Sequence, residues 1–504
     1  MSCAGLLGLL LLTQWNWFSM PFERDEGEYA YSAWIMKDGG VPYRDAFLQK
    51  PPMVVYTYLA AQQFSETATW PPRLLAFGFV LLTLGLVAWI SRQEYGSRCG
   101  WAGAWLFVPM MAFPALSPAA ANTEKFMNLP MMAVLALHVR GSGKPNPWVG
   151  MAAGACAALA VLYKPICAPL LLFVFSAWAV EVAQGNRRWS PVLRFGACVA
   201  SGGLLATFLA LLFFIRHEAL GALWEATVAY NRAYAEITGW NARAFLHQAR
   251  TFLIGWWPLA FALAWFCGGA PRRGWYWAGL LLLAGAVAYK DPNQHYYVMA
   301  VPIGAIMAAR GLVGFGDWLQ QRWGVDWHAE VAAAAVVGLL LPVAPGMTLS
   351  PAVLSKKLYG ANPFGESPAV ARELAELTAP GERVYVAGSE PQILFYAKRR
   401  SATRFVIAYP LMIPTRYARP YQREVIQALQ DRPPEAIVVS PISTSWSMHP
   451  LTAPHFIPFL QDFLETRYRP VGRYVQNGKD GAWLPSATPP AQGVESLILY
   501  RRNK

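Results

Sequence analysis

The sequence predicts a polytopic α-helical membrane protein followed by an extracytoplasmic α/β domain. Of its 504 residues, 55% are hydrophobic and only 14% are charged, whereas an average soluble domain has about 25% charged residues. Apolar runs of near-spanning length recur up to about residue 346. Beyond that point short β-rich runs alternate with helical ones. The composition therefore excludes a disordered or wholly soluble chain, and it predicts a transmembrane domain over residues 1–348 and an α/β domain over residues 349–504.

The apolar runs predict about eleven membrane-spanning helices. They lie near residues 3–20, 72–91, 99–116, 124–139, 147–163, 166–183, 194–215, 249–267, 274–289, 296–313 and 329–346. The first run has the length of a signal peptide. Because it lacks a basic start and a small-residue cleavage site, we expect it to be a span.

Basic connectors indicate the orientation of these spans. The connectors 92–98, 140–144, 187–194 and 272–273 fall on one side of the membrane if the run 53–64 does not cross. Twelve helical residues reach only about 18 Å, against a hydrocarbon core of about 30 Å. By the positive-inside rule the connectors are cytoplasmic, and the C-terminal domain lies outside. The net charge of +13 therefore reflects topology, and no nucleic-acid partner is predicted.

Residues 349–504 predict a layer of helices on a mostly parallel sheet, since strands and helices alternate. We expect strands at 383–387, 403–407, 436–440 and 497–501, and helices at 368–377, 391–397, 421–431 and 457–467. Gly388-Ser389 could belong to a phosphate loop, but an ordinary strand-to-helix turn is favoured. The six cysteines lie in or beside apolar segments, so no disulfide framework or cysteine zinc site is expected here.

The first outer loop, residues 21–52, has the residue types of a catalytic site at the membrane surface. Asp25, Glu26 and Glu28 place three carboxylates within four positions, and Lys50 precedes two prolines. A carboxylate here could take a proton from an attacking hydroxyl group, and the lysine could bind a phosphate. The structural alternative is that Asp25 caps a short helix, with Glu28 supporting the cap.

These motifs together resemble the first outer loop of the GT-C integral-membrane glycosyltransferases. The resemblance rests on the acidic pair, the stretch Gly40-Val41-Pro42-Tyr43-Arg44-Asp45, and Lys50-Pro51-Pro52. It is nearest to bacterial glycosyltransferase family 39, with the relatives of protein O-mannosyltransferases and of lipid A aminoarabinose transferases. It implies a hexosyl- or pentosyltransferase of the bacterial inner membrane that acts with inversion. The donor would be a polyprenyl-phosphate sugar, and the acceptor an extracytoplasmic lipid, glycan or protein.

The resemblance also implies roles for single residues. Asp25 matches the catalytic carboxylate, Glu26 matches the second acid of the pair, and Lys50 matches the lysine that contacts the donor phosphate. Gln49 stands where the aminoarabinose branch usually has glutamate, so this chain departs from the branch in having no acid at that position. A later outer loop supplies a phosphate-binding arginine in that branch, which points to Arg232.

Two further rim residues have both a functional and a structural interpretation. Glu124 stands where the family often has an acid, although helix capping with Lys125 as its partner would explain it too. Lys164 could bind the donor phosphate or could extend from a helix end towards water. The binding role is favoured, because a lysine on the outer side opposes the orientation rule.

The tenth span opens with His295, Tyr296 and Tyr297. In the family a tyrosine at this place approaches the donor phosphate, whereas a tyrosine at a membrane interface is ordinarily an anchor. The prenyl chain of the donor is expected in a groove between spans, lined by side chains such as Trp256, Trp257 and Phe261. The acids of the first loop could hold magnesium, but we predict no metal and no cofactor beyond the lipid-linked sugar.

A transporter or flippase of an amphipathic lipid is the competing class. Transporters place their sites near the bilayer midplane, on broken helices in repeated halves. Here the ionisable residues gather at one rim, and no repeat is visible. A sensor with an outer binding domain would leave the acidic loop without a purpose. Glycosyl transfer is therefore the favoured function.

Overall fold

The computed structural model describes residues 2–141, 146–186, 189–237, 239, 241–271, 273–286, 294–452, 455–477, 480–486 and 494–503. Parts of three basic connectors, at residues 142–144, 187–188 and 272, lie outside the described residues. The chain forms two compact units. The helical unit comprises Met1–Phe18, Arg73–Leu212 and Gly239–Leu349, and the sheet unit comprises Ser19–Pro72, Phe213–Thr238 and Ser350–Lys504. The acidic first loop, residues 21–52, thus belongs to the same compact unit as the residues that follow Leu349.

Seventeen α-helices precede residue 350 in the described chain. They are α1 (Cys3–Gln14), α2 (Arg24–Lys37), α3 (Met53–Ala61), α4 (Trp70–Tyr95), α5 (Ser97–Met111), α6 (Thr123–Gly141), α7 (Pro147–Tyr163), α8 (Ala168–Asn186), α9 (Trp189–Arg216), α10 (Leu220–Trp224), α11 (Tyr230–Ile237), α12 (Ala242–Gly255), α13 (Trp257–Gly268), α14 (Gly274–Ala286), α15 (Ala300–Trp323), α16 (His328–Leu340) and α17 (Ala344–Thr348). A π-helical turn, Glu225–Ala229, links α10 to α11.

The predicted number of about eleven spans is not confirmed. In the described chain, four segments are long and apolar enough to cross a membrane: Trp70–Tyr95, Pro165–Gln184, Ser190–Arg216 and Gln294–Trp323. The pair Phe245–Gly255 and Trp257–Gly268, bent by 91°, makes a fifth if it forms one span. The other predicted runs are helical but shorter or more polar, because hydropathy along a run does not reveal where a helix breaks. The run 53–64 forms α3, whose nine residues reach about 14 Å.

The helical unit has the surface of an integral membrane protein. Leu204 on α9 is 71% exposed, and Leu205, Phe208 and Leu209 beside it are exposed as well. Inside the unit, α7 packs closely on α9. A Cβ atom on Gly154 would lie 1.9 Å from the carbonyl oxygen of Val199, so only glycine allows this approach.

The C-terminal residues add seven helices and a sheet to the sheet unit. The helices are α18 (Pro351–Tyr359), α19 (Ser367–Leu377), α20 (Pro391–Ala397), α21 (Tyr409–Met412), α22 (Ala418–Asp431), α23 (Ser443–Trp446) and α24 (Phe456–Arg467). The strands are β1 (Val384–Ala387), β2 (Ala436–Val439), β3 (Tyr468–Asn477), β4 (Asp480–Pro485) and β5 (Val494–Arg502), in the order β1-β2-β5-β3-β4.

The predicted mostly parallel sheet is wrong. Only β1 and β2 pair in parallel, while β2 with β5, β5 with β3, and β3 with β4 are antiparallel. The chain passes from α24 directly into β3 and then back through β4, and such short connections join antiparallel strands. The predicted strand 403–407 does not form; near it there is an isolated bridge from Ser401 to Val384.

The turn after β1 is an ordinary strand-to-helix turn, as we predicted for Gly388-Ser389. Gly388 has φ +150°, a conformation that suits glycine. The backbone N–H of Ser389 donates to the Glu390 carboxylate at 3.0 Å and to the Ser445 hydroxyl at 2.8 Å. A side-chain carboxylate thus already occupies the place that a phosphate would need.

Candidate active site

The acidic start of α2 is a capping box in which Asp25 is not the cap. The Glu23 carboxylate accepts hydrogen bonds from the backbone N–H groups of Asp25 at 3.0 Å and Glu26 at 3.1 Å. The Glu26 carboxylate accepts one from the N–H of Glu23 at 3.4 Å. This reciprocal arrangement satisfies the free donors of the first turn. The alternative in which Asp25 caps the helix is therefore wrong. Glu26, which is fully buried, has a structural role in this capping box.

Arg24 fixes the first turn of α2 to the C-terminal part of the sheet unit. Its guanidinium donates to the carbonyl of Ser389 at 2.6 Å, to the amide oxygen of Asn362 at 3.1 Å and to the Tyr409 hydroxyl. It also forms an ion pair at 3.4 Å with Glu390, whose side chain is fully buried. Since all these partners surround one side chain, the start of α2 is held in a defined position.

The Asp25 carboxylate itself is not used by the fold. Asp25 is half-buried, and among the described residues its side chain takes part in no hydrogen bond or ion pair. A carboxylate held on a fixed helix, with both oxygens unoccupied, can accept a proton from a bound hydroxyl group. In the described part of the chain, no three His, Cys, Asp or Glu side chains are grouped to hold a metal ion, and independence from metal remains a prediction.

Glu28 is an acid of the same helix whose burial the sequence did not show. Its side chain is only 2% exposed, and no hydrogen bond to its Oε1 atom exists within the described residues. Burial raises the pKa of Glu28 to about 8, while the positive charge of Lys50 opposes the rise and the negative charge of Asp25 adds to it. Glu28 thus connects Asp25 and Lys50 electrostatically within the sheet unit. The sequence signal is the third acid of the loop, for which the structural alternative is the support of a helix cap.

The segment before Lys50 is fixed by two hydrogen bonds. The Tyr43 hydroxyl donates to the carbonyl of Lys50 at 2.9 Å, and the Asn231 amide donates to the carbonyl of Gln49 at 2.8 Å. Asn231 lies on α11, so this helix contacts the Lys50 segment. Its next residue, Arg232, has a side chain that is 81% exposed and lies 3.9 Å from Glu236, and its role in phosphate binding stays a prediction.

Four of the predicted rim residues come together in the helical unit. Glu124 forms a buried ion pair with Lys164 and lies 3.5 Å from the imidazole of His295. The Lys164 ammonium lies 3.9 Å from the ring centre of Tyr296. Glu124 therefore pairs with Lys164 and not with Lys125, whose ammonium donates to the carbonyl of Pro118. Because Lys164 is buried, the alternative in which it extends to water is also wrong.

Tyr297 belongs to a different environment, an apolar groove of the helical unit. The groove has a volume of about 580 Å³, and α12, α13 and α14 supply most of its walls. Tyr297 and Trp256 line it, and both contact the ring of Phe252. The predicted residues Trp257 and Phe261 are exposed on the surface and are not among the lining residues.

No family model and no curated protein sequence matches this chain. Solved structures do match. ArnT from Cupriavidus metallidurans bound to undecaprenyl phosphate is 14% identical with a TM-score of 0.59, covering 97% of this chain and 98% of ArnT. The apo state of that ArnT is 12% identical with a TM-score of 0.60, covering 95% and 96%. The archaeal oligosaccharyltransferase AglB from Archaeoglobus fulgidus, in complex with an inhibitory peptide and a dolichol-phosphate, is 12% identical with a TM-score of 0.53, covering 98% of this chain and 75% of AglB. ArnT, a lipid A aminoarabinose transferase, and AglB are both GT-C glycosyltransferases, and the predicted GT-C fold is therefore confirmed.

Proposed function

We propose that this chain is a membrane glycosyltransferase that moves a sugar from a polyprenyl-phosphate donor to an extracytoplasmic acceptor, with inversion. The observation that carries the proposal is the Asp25 carboxylate, which the fold holds in position but does not use. The shared fold supports it, since structures of that fold have been obtained with undecaprenyl phosphate and with a dolichol-phosphate.

In this mechanism Asp25 is the general base. The hydroxyl oxygen of the acceptor attacks the anomeric carbon of the sugar while its proton passes to Asp25. The bond between the anomeric carbon and the phosphate oxygen breaks, and the electron pair leaves with the polyprenyl phosphate. The capping box and Arg24 keep Asp25 in place during this step. Such positioning reduces the reorganisation that the transition state would otherwise require.

Lys50 stabilises the leaving phosphate in this proposal. A lysine ammonium is a compact point charge that suits a phosphate oxygen on which charge develops. The backbone around Lys50 is fixed by Tyr43 and Asn231. Lys164 is the second proposed phosphate ligand, and a phosphate there would have to compete with the buried Glu124 carboxylate for its charge.

The apolar groove of the helical unit suits the prenyl chain of such a donor. Its walls are almost wholly hydrocarbon and aromatic, with residues such as Leu253, Leu281 and Trp256. Apolar surface buried from water contributes roughly 25 cal/mol per Å², so a long chain in the groove would provide much of the donor affinity. Tyr297 lines the same groove.

The proposed location is the bacterial inner membrane, with the catalytic loop on the extracytoplasmic side. No nucleotide sugar is supplied there, which is why the sugar must arrive on a lipid. The sugar, a hexose or a pentose, and the acceptor can be identified by mass spectrometry of envelope lipids and glycans with and without the gene. Restoration by the native chain, but not by Asp25→Asn, is the expected result.

An assay of donor consumption by the purified protein separates sugar transfer from lipid transport. A flippase would move the donor lipid without consuming it, so purified protein would release no polyprenyl phosphate from a sugar-loaded donor in the presence of an envelope extract. Release that depends on the extract supports transfer. Undiminished restoration by Asp25→Asn would contradict the proposed role of this carboxylate.

A further inference from the structure

A cavity of the sheet unit, which we call the arginine cavity, is lined by four arginine side chains. Its volume is about 360 Å³, and its walls come from α2, from the loop after α2, and from the segments before β1 and after α20. The arginines are Arg44, Arg383, Arg400 and Arg404. Hydroxyl groups of Tyr31, Ser401 and Thr403 belong to the same walls. The cavity therefore suits a polar ligand and not a hydrocarbon chain.

The acids that hold two of these arginines lie outside the cavity wall. Arg400 donates to the Asp38 carboxylate at 2.6 Å. Arg404 donates to the carboxylates of Glu424 at 2.7 Å and Glu225 at 2.9 Å. None of these three acids is among the residues that line the cavity. The acids thus fix the two guanidinium groups and leave the wall itself positively charged.

Asp45 is the one carboxylate of the described cavity wall, and it already has partners. It accepts a hydrogen bond from the backbone N–H of Val41 at 2.7 Å, and it lies 3.3 Å from the guanidinium of Arg44. The described wall therefore has four positive charges and one negative charge. An anion in the cavity would reduce the mutual repulsion of the arginines.

Arg383 is the arginine of the cavity whose charge has no acid partner among the described residues. Its Nη1 atom donates to the carbonyl of Ser401 at 2.9 Å, and its Nε and Nη2 atoms donate to no other described group. The residue is exposed, so its replacement leaves no buried acid without a cation. The guanidinium fork matches the oxygens of a carboxylate or a phosphate. Arg383 can therefore contribute most of its donors to a ligand.

We propose that the arginine cavity binds a phosphate monoester, which arrives either as a small soluble ion or as the headgroup of a lipid. A carboxylate carries one charge on two oxygens, whereas a phosphate monoester carries a charge of about −1.5 to −2 on three acceptor oxygens at pH 7. The larger anion suits a wall with an excess of three positive charges. The volume leaves room for more of the ligand than the phosphate alone.

This site is separate from the proposed donor site, and it does not depend on the proposed function. Neither Asp25 nor Lys50 lines the cavity, and Lys164 belongs to the helical unit. Tyr31 and Ile35 place α2 in the cavity wall. Tyr31 follows Asp25 by six residues, or about 9 Å along the helix axis. A ligand bound by its phosphate in the cavity can thus extend along α2 towards Asp25.

The test measures binding to the full chain in detergent at constant ionic strength. The probes are inorganic phosphate and dioctanoyl phosphatidic acid, and dioctanoyl phosphatidylcholine has the same acyl chains without a phosphate monoester. Arg383→Gln should weaken the binding of a phosphate probe about tenfold to a hundredfold, as expected when a charged hydrogen bond is lost. Arg383→Lys should recover part of the affinity, because it keeps the charge without the fork. Arg419→Gln is the matched control, since Arg419 on α22 is also exposed but does not line the cavity.

The two probes distinguish the sources of the ligand. Binding of both probes that depends on Arg383 would show recognition of the phosphate itself. Such binding of phosphatidic acid alone would identify a lipid headgroup, and of inorganic phosphate alone a small soluble ligand. Each of these results supports the site. Arg44→Gln, at a side chain that is 53% exposed, should show the same loss and replaces Arg383→Gln if that variant does not fold.

Three results would overturn the inference. The first is that the native chain binds neither phosphate probe, or binds phosphatidylcholine as tightly as phosphatidic acid. The second is equal affinity for the phosphate probes in the native chain, Arg383→Gln and Arg419→Gln. The third is that Arg383→Gln loses affinity for undecaprenyl phosphate as strongly as for phosphatidic acid, since the cavity would then belong to the donor site.

Discussion

The replacement Arg24→Met tests whether the first turn of α2 is held as rigidly as the proposed chemistry requires. Methionine keeps much of the side-chain volume, but it removes the hydrogen bonds to Ser389, Asn362 and Tyr409. It also leaves the fully buried Glu390 without its cation. Breaking one partner of a buried ion pair typically costs about 3–5 kcal/mol. Since about 1.4 kcal/mol is a tenfold change in an equilibrium constant, opening of α2 should become more than a hundredfold easier.

The assay is hydrogen exchange of the α2 peptides in the full chain, read by mass spectrometry, which reports local opening. In Arg24→Met the α2 peptides should lose their protection from exchange. The double variant Arg24→Met with Glu390→Gln should recover part of this protection, because it has no buried carboxylate charge without a cation. Arg44→Met is the control, since the Arg44 side chain is 53% exposed and its ion pair with Asp45 lies at the surface. Such a pair is worth about 0–1 kcal/mol. Unchanged protection in Arg24→Met would refute the reasoning.

Three further predictions concern the donor and the topology. Lys50→Ala should weaken undecaprenyl phosphate binding about tenfold to a hundredfold, as expected for the loss of a charged hydrogen bond of about 1.5–3 kcal/mol. Lys50→Arg should restore part of the affinity. Equal affinity in Lys50→Ala and the native chain would exclude Lys50 from phosphate binding. Gly285 lines the apolar groove at a position where an added Cβ meets no atom within 4 Å. Gly285→Trp should weaken the binding of a long-chain donor more than that of a short-chain analogue. An equal effect on both ligands would argue against the groove as the binding site of the prenyl chain. In a background without the native cysteines, a cysteine at Gly269 should be shielded from an impermeant thiol reagent while one at Gly365 is labelled, and the opposite pattern would invert the topology.

The sequence predicted the location of helices better than the number of crossings. Each apolar run contains helix, because burial and lipid contact both select apolar residues. Helix continuity depends on other causes, such as the break at Trp256 between α12 and α13, where the chain bends by 91°. The sheet shows the same limit. Strands β1, β2 and β5 could be predicted from their apolar runs, whereas β3 and β4 contain prolines and glycines, which interrupt the sequence pattern of a strand.

The site divided in a similar way. The acidic pair and Lys50 could be singled out because their residue types are unusual at a membrane boundary. The sequence could not show which acid caps the helix, since Glu23, Asp25 and Glu26 are chemically alike and only the backbone geometry selects Glu23. The burial of Glu28 and the pairing of Glu124 with Lys164 also depend on the tertiary fold. Local sequence therefore indicated the chemistry, and packing decided the roles.

The most direct test of the central claim is the rate of sugar transfer by purified Asp25→Asn. Asparagine keeps the size of the side chain and most of its hydrogen bonding but cannot accept the proton. Removal of a general base typically costs on the order of 10²–10⁴ in rate. We predict a loss of this size with α2 protection and undecaprenyl phosphate binding unchanged. Sugar transfer at the native rate by this variant would contradict the assignment of Asp25 as the base.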